Sequence, residues 1–194
     1  MMLKASEYLK NCLQLNIDSK LEDKINTNTA IVTYNKGYHP IQMGDEVKVF
    51  YFIISGIVRG YYINEEGIEM TKCFCYENHF FGSECFRTKS LSSFYVECIE
   101  ECKCIQIPYK FVHEILFGNP SFEHYIHSLY LDEVGNLENR ARNLQFFSAE
   151  ERYFDFCKKY PDLQHRIPLK YIASYIGIKP GSMSRIRKKL KNQL

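Results

Sequence analysis

The residues with the plainest chemistry lie at the C-terminal end, in IPLKYIASYIGIKPGSMSRIRKKLKNQL. From Leu163 to Leu194 the chain carries eight basic side chains and no carboxylate. Phosphate is the natural counter-charge of such a surface, and a carboxylate there would repel a duplex backbone. Leu169, Ile172, Ala173 and Ile176 recur at helical spacing, as do Met183, Ile186 and Leu190, with Gly177-Ile178 between the two sets. A small residue inside the first helix, a Gly at the turn and an apolar residue straight after it suit two helices crossing steeply, the helix-turn-helix arrangement. Ser182, Ser184, Arg185, Arg187, Lys188 and Lys189 fall outside the apolar stripe of the second helix. Hydroxyls and backbone N–H groups near a helix start bond phosphate oxygens, and an Arg there can grip guanine bidentately in the major groove. The candidate DNA-contacting set is therefore Arg185, as base reader, with Ser182, Ser184, Lys179, Lys188, Lys189 and Lys170. Successive residues turn by about 100° round a helix, so Arg187, Lys188 and Lys189 cannot all face one duplex. The bland reading, a solvated basic face on a helical hairpin, has to explain the turn chemistry, the missing carboxylates and the placed hydroxyls together.

Six of the eight cysteines crowd between positions 73 and 104, at Cys73, Cys75, Cys85, Cys98, Cys102 and Cys104. Cys73 with Cys75, and Cys102 with Cys104, are two apart, so each pair shares one face of a strand. Zinc and iron–sulfur sites favour C-x₂-C loops that wrap an ion, and the sequence has none. The expectation is buried thiols acting as small hydrophobes, with metal or redox sensing as the competing reading. His124 and His127 are i, i+3 neighbours without a carboxylate–His grouping, His39 and His79 are isolated, and no His-x-His occurs. No metal site, cofactor or catalytic constellation is expected, and the chain is not expected to be an enzyme.

Around these residues the elements follow from pattern. Leu9, Leu13, Leu21 and Ile25 suit one or two short amphipathic helices. From Ala30 the chain is rich in Val, Ile, Tyr, Phe and Thr, with turn residues at Gly37, Pro40, Gly44-Asp45, Gly56, Asn64 to Gly67 and Gly82. Short strands at that spacing predict a roll, barrel or sandwich. A second set, FYVECIEECKCIQIPY, runs to Tyr109, and a short helix follows that is expected to stop at Gly118-Asn119-Pro120. Ser121 to about Phe147 then reads as one long helix. Its positions Tyr130, Val134, Leu137, Ala141 and Leu144 step by four and three, a heptad seam suited to pairing with a second copy; the other reading is a long helix lying across its own sheet. Ser148-Ala149-Glu150-Glu151 is a capping box that starts a further helix.

The formal net charge of +2 hides a division. Residues 148–194 carry a net of +7 and residues 1–147 a net of −5. The expected organisation is a β-roll at 1–118, a dimerisation helix and hinge at 119–147, and a helix-turn-helix head at 148–194. No run of 18 apolar residues occurs and the N-terminal stretch lacks the core of a signal peptide, so a cytoplasmic protein without membrane contact is expected.

The strings FYFIISGIVRGYY, NEEGIEMTKCF, NHFFGSECF, NPSF, NLQFFSAEERYFDF and IPLKYIASYIGIKPGSMSRIRKKL, in that order, resemble the Crp/Fnr family of bacterial transcription regulators from about Ile31 to Leu190. The resemblance implies an α+β fold: an antiparallel β-roll of the cyclic-nucleotide-binding type, a long dimerisation helix and a C-terminal winged helix-turn-helix. It further implies a homodimer on a two-fold symmetric operator in double-stranded DNA, with a small-molecule effector in the roll. Through the family motif the effector pocket maps to Gly82, Ser83, Glu84, Ser92 and Ser93, with Leu137 and Glu138 on the long helix. Ser83 stands where the ribose-binding carboxylate is expected, Glu84 falls one place late, no Arg occupies 90–96, and Leu137-Glu138 replaces a Thr-Ser pair. A cyclic phosphate would want an Arg fork, so cyclic AMP is not expected to bind in the family manner, and the effector is unidentified. Gly181 stands where the family often has a polar base reader, which puts more weight on Arg185. The alternative from another class is a cupin-like roll that binds a small molecule or metal, its C-terminal helices serving protein association.

Overall fold

The computed structural model describes residues 4–13, 17–116 and 120–191. Gly118 and Asn119, where the short helix was expected to stop and the first domain to end, lie outside them. Helices α1 (Ala5–Leu13) and α2 (Ser19–Asn28) bury Ala5, Leu9, Leu13 and Ile25. Asp18 caps α2 by accepting from the Leu21 amide at 2.7 Å, satisfying one of the orphan donors of the first turn.

Seven strands follow as β1 (Ala30–Tyr34), β2 (Val49–Ser55), β3 (Val58–Ile63), β4 (Glu69–Cys75), β5 (Phe80–Phe81), β6 (Tyr95–Cys98) and β7 (Cys102–Pro108). They form a four-stranded sheet ordered β1-β7-β2-β5 and a three-stranded sheet ordered β4-β3-β6. Strand alternation divides the core. On β2, Phe50 and Phe52 pack with α1, α2 and Phe111, while Tyr51 and Ile53 turn to the other face with Val58, Phe81, Phe94 and Val96. On β7, Ile105 and Ile107 join the first set and Cys102 and Cys104 the second.

Helices α3 (Ser83–Thr88), α4 (Tyr109–Leu116), α5 (Pro120–Phe146), α6 (Ala149–Lys159), α7 (Leu169–Tyr175) and α8 (Pro180–Lys191) complete the chain. The capping box forms as spaced: the Ser148 hydroxyl accepts from the Glu151 amide at 3.3 Å, and Glu151 Oε2 accepts from the Ser148 amide at 2.7 Å. These hydrogen bonds hold the Glu151 carboxyl below its ordinary range. Between Lys159 and Leu169 the described chain makes a single 3₁₀ turn, Leu163–His165, anchored by buried Leu163 and Ile167.

Two compact units result: residues 1–60 with 74–130, and residues 61–73 with 131–194. The second unit combines the turn of the β3–β4 hairpin with the C-terminal half of α5 and helices α6 to α8. Arg140 on α5 draws them together. Its guanidinium donates to the carbonyls of Thr71 (2.9 Å), Lys72 and Tyr175 (3.1 Å) and lies 4.4 Å above the Tyr175 ring. Ser174 on α7 adds a second tie, its hydroxyl accepting from the Thr71 amide at 2.8 Å and donating to the Glu69 carbonyl at 3.1 Å.

Candidate nucleic-acid interface

Helices α7 and α8 pack through Ile172, Ala173, Ile176, Met183 and Ile186, all buried. The turn between them closes as a Schellman motif. The Ile178 amide donates to the Ala173 carbonyl at 3.0 Å and the Gly177 amide to the Ser174 carbonyl at 3.3 Å, pairing carbonyls that the end of a helix leaves open. Gly177 has φ +72°, and a Cβ there would stand 3.3 Å from Leu144 Cδ2, so both backbone and space ask for glycine.

With the apolar stripe fixed, the remaining side chains sort by exposure. Lys170, Lys179, Ser184, Arg185, Lys188 and Lys189 are exposed and Ser182 is half-buried. Arg185 lies along its own helix, its Nε 3.5 Å from the Gly181 carbonyl and Nη2 3.4 Å from the Ser182 hydroxyl. Such long contacts are weak, so the guanidinium can be exchanged to another acceptor. The Lys170 ammonium lies 4.7 Å over the Tyr171 ring. Lys189 is already engaged: its ammonium meets both oxygens of Glu150 on α6 at 2.8 Å. Arg187 turns inward, close enough to Tyr153 and Cys157 to lower both pKa values against the larger raising effect of burial. The helical rotation thus divides the basic run into an outer group, led by Arg185 and Lys188, and inner or paired members.

In the roll, Gly82, Ser83, Glu84, Ser92 and Ser93 come together around α3, a helix too short to leave a sequence signal. Gly82 sits in the left-handed region at φ +91°, its absent Cβ falling 2.9 Å from the Val49 carbonyl, and its own carbonyl accepts from the Tyr109 hydroxyl. Ser93 donates its hydroxyl to Glu84 Oε1 at 2.7 Å. Ser92 is buried and donates to the Phe94 carbonyl at 2.9 Å. Leu137 and Glu138 are exposed and belong to the second unit. One charged residue escaped sequence reasoning. Arg59, in the apolar run IISGIVRGYY, is fully buried on β3 with Nη1 3.6 Å from Glu97 Oε2 on β6. A lone Arg inside an otherwise uncharged strand run was the available signal.

Cys98, Cys102 and Cys104 are buried in the roll core. The hydrogen bond to Cys102 and burial push the Cys98 thiol up, and burial pushes Cys104 up to about 12. Thiols held protonated in this way are poor nucleophiles and poor ligands. Among the described residues no group of three or more His, Cys, Asp and Glu could hold a metal, and no helix is long and apolar enough to cross a membrane.

The cyclic nucleotide-binding domain matches residues 31–119. Over most of the chain, relatives are regulators. The cAMP-activated global transcriptional regulator CRP of Pasteurella multocida is 24% identical over 164 residues, covering 79% of this chain and 78% of the relative. The fumarate and nitrate reduction regulatory protein of Vibrio cholerae is 24% identical over 162 residues, covering 78% of this chain and 64% of the relative. The domain match and these relatives agree with the Crp/Fnr resemblance of the sequence. Solved Crp/Fnr folds superpose on the chain. FixK2 from Bradyrhizobium japonicum gives a TM-score of 0.76 at 16% identity, covering 85% of both chains. The c-di-GMP responsive regulator CLP of Xanthomonas campestris gives 0.74 at 16% identity, covering 91% of this chain and 93% of that one. These relatives are transcription regulators, and the α+β architecture read from the sequence stands.

Proposed function

We propose that this chain is a cytoplasmic, homodimeric transcription regulator of the Crp/Fnr family that reads a two-fold symmetric site in double-stranded DNA with α8. The observation that carries the reading is the outer face of α7 and α8. Lys170, Lys179, Ser184, Arg185 and Lys188 are exposed on one packed helix-turn-helix, and no carboxylate lies between Leu163 and Leu194. Arg185 is the base reader; Ser182, Ser184, Lys179, Lys188 and Lys170 position the backbone, and Lys189 joins them once Glu150 releases it. Division of labour follows the limits 1–118, 119–147 and 148–194.

Dimerisation runs through Tyr130, Val134, Leu137, Ala141 and Leu144. All five are exposed on one stripe of α5, Val134 at 52% and Leu137 at 53%, which a second copy of the helix would bury. In the roll, the Glu84 carboxylate is taken by Ser93 and no Arg fork stands between residues 90 and 96. This supports a sensor that does not hold cyclic AMP in the family manner.

The test is binding of the full chain to random and genomic duplexes across a salt series. Affinity should fall linearly on a log–log plot with slope about −0.9 per phosphate neutralised, and Arg185→Ala should cost about 1–3 kcal/mol and relax discrimination at one base position. Equal affinity and discrimination in Arg185→Ala at fixed salt would remove Arg185 from the reading. Salt-insensitive or absent duplex binding by a folded dimer would remove the function.

A further inference from the structure

The second unit contains a cleft of about 420 Å³ walled by the C-terminal half of α5, α6 and the end of α7. That is the size of a small-molecule site. Its charged lining is one-sided: Arg140, Arg142, Arg152, Lys158 and Lys159 against Asp155 alone. Lys159 reaches across from α6 to donate to Asn136 Oδ1 on α5 at 2.7 Å. Burial pushes the Lys159 ammonium down from its ordinary value, the nearby Glu133 and Asp155 carboxylates opposing and Arg140 adding to the fall. The Phe156 and Tyr160 rings, centroids 5.1 Å apart, give the cleft an apolar wall.

Three buried polar atoms in this lining have no hydrogen-bond partner: Arg140 Nε, Arg152 Nε and Asn143 Oδ1. Asn143 is only 8% exposed. Its amide nitrogen donates to Asp155 Oδ2 at 2.9 Å, which fixes the carbonyl as the open end. Both terminal nitrogens of Arg140 and Nη1 of Arg152 already serve backbone carbonyls, Arg152 bonding the carbonyl of Phe147 at 3.0 Å. What is left over is two cationic N–H donors and one neutral acceptor, all on residues that line this cleft. Buried polar groups are nearly always matched, and this set is matched by an anion that also carries a donor.

We propose that this cleft is a ligand site for a small organic anion, a carboxylate or a phosphate monoester, bearing a hydroxyl or N–H donor for Asn143 and a flat ring for the Phe156–Tyr160 wall. The anion bridges Arg140 and Arg152, while Lys158, Lys159 and Arg142 supply further charge at the mouth. Because the same lining includes Arg140 and Tyr175, which hold α5 to α7, occupancy bears on the helix-turn-helix. That consequence rests on the DNA-reading proposal, whereas the site itself does not.

Calorimetric titration of the full chain without DNA, at constant physiological ionic strength, tests the site alone. Salicylate is the carboxylate probe, uridine 5′-monophosphate the phosphate probe, and inorganic phosphate the charge-only control. Saturable binding of at least one ring-bearing probe is expected, with inorganic phosphate weaker. The double variant R142Q/K158Q, on two exposed cations, and separately K159Q should each weaken it by about tenfold, the scale of one charge-assisted hydrogen bond. K36Q, on an exposed lysine of the first unit, should leave it unchanged. No saturable heat from either ring-bearing probe, equal affinity in wild type and both cleft variants, or equal affinity for all three anions would overturn the proposal. Duplex binding with and without the bound probe then measures the coupling separately.

Discussion

Arg140 offers the sharpest single test of how the second unit is held. Its guanidinium bonds three backbone carbonyls, on Thr71, Lys72 and Tyr175, and stacks on the Tyr175 ring. A hydrogen bond to a charged group contributes about 1.5–3 kcal/mol and a cation–π contact about 0.5–2 kcal/mol. These terms are not additive, and Arg140 is only half-buried, so water recovers part of the loss. Arg140→Ala should therefore destabilise the second unit by about 3–4 kcal/mol. With a urea slope of about 2 kcal/mol/M, the midpoint of that unit falls by about 1.5–2 M. Arg140→Lys keeps the charge but not the planar fork, and should recover less than half of the loss. The chain has no Trp, so unfolding is followed by far-UV circular dichroism, with amide exchange read separately over residues 61–73. Faster exchange in that segment is the specific signature. An unchanged urea midpoint together with unchanged exchange over 61–73 in Arg140→Ala would refute the claim that this side chain ties the hairpin to α7.

Other expectations follow from single contacts. Glu150→Gln frees Lys189 for phosphate, and should strengthen duplex binding and steepen the log–log salt slope by about 0.9, one further phosphate; an unchanged slope in filter or fluorescence titrations would show that Lys189 faces away from DNA. Gly177→Ala forces a Cβ into φ +72° and against Leu144, and thermal melts should show a loss of about 1–2 kcal/mol. Ser148→Ala removes the cap of α6 at about 1 kcal/mol, measured in the same melts. The Glu151 pKa is lowered by the cap. Its contribution is therefore complete above the unfolded carboxylate pKa and lost as pH falls through the lower folded value, so the wild-type advantage over Ser148→Ala should shrink in acid. Val134→Glu places a charge in the α5 seam and should shift sedimentation from dimer to monomer, with no loss of helical signal.

Where local rules decide an element, the sequence was readable. Ser148 and Glu151 specify the α6 cap by spacing alone, Gly177 the turn before α8, and the two-residue alternation of Cys102 and Cys104 their shared face. The long helix was bounded to within a residue because Pro opens it and the capping box closes the chain behind it. Of the residues that the resemblance maps to an effector pocket, Ser93 and Glu84 bond each other, a contact that could not be read because it depends on how α3 turns. Likewise Arg59 and Arg140 were not singled out in the sequence. Their partners, Glu97 in one case and the carbonyls of residues 71, 72 and 175 in the other, are set by tertiary packing that leaves no periodic trace. The same reason hides the grouping of residues 61–73 with the C-terminal helices.

Ser174 carries a further consequence. β4 is the outer strand of the three-stranded sheet, and an outer strand offers open amides and carbonyls to any passing chain. By accepting from Thr71 and donating to Glu69, one serine hydroxyl occupies the donor and the acceptor that an intruding strand would use first. With α7 displaced, that donor and acceptor would be uncovered, and the charges of Glu65, Glu66, Glu69 and Lys72 would remain to discourage pairing. Fixing the helix and keeping molecules from joining edge to edge are thus one job, which Ser174 shares with Arg140 on the carbonyls of Thr71 and Lys72.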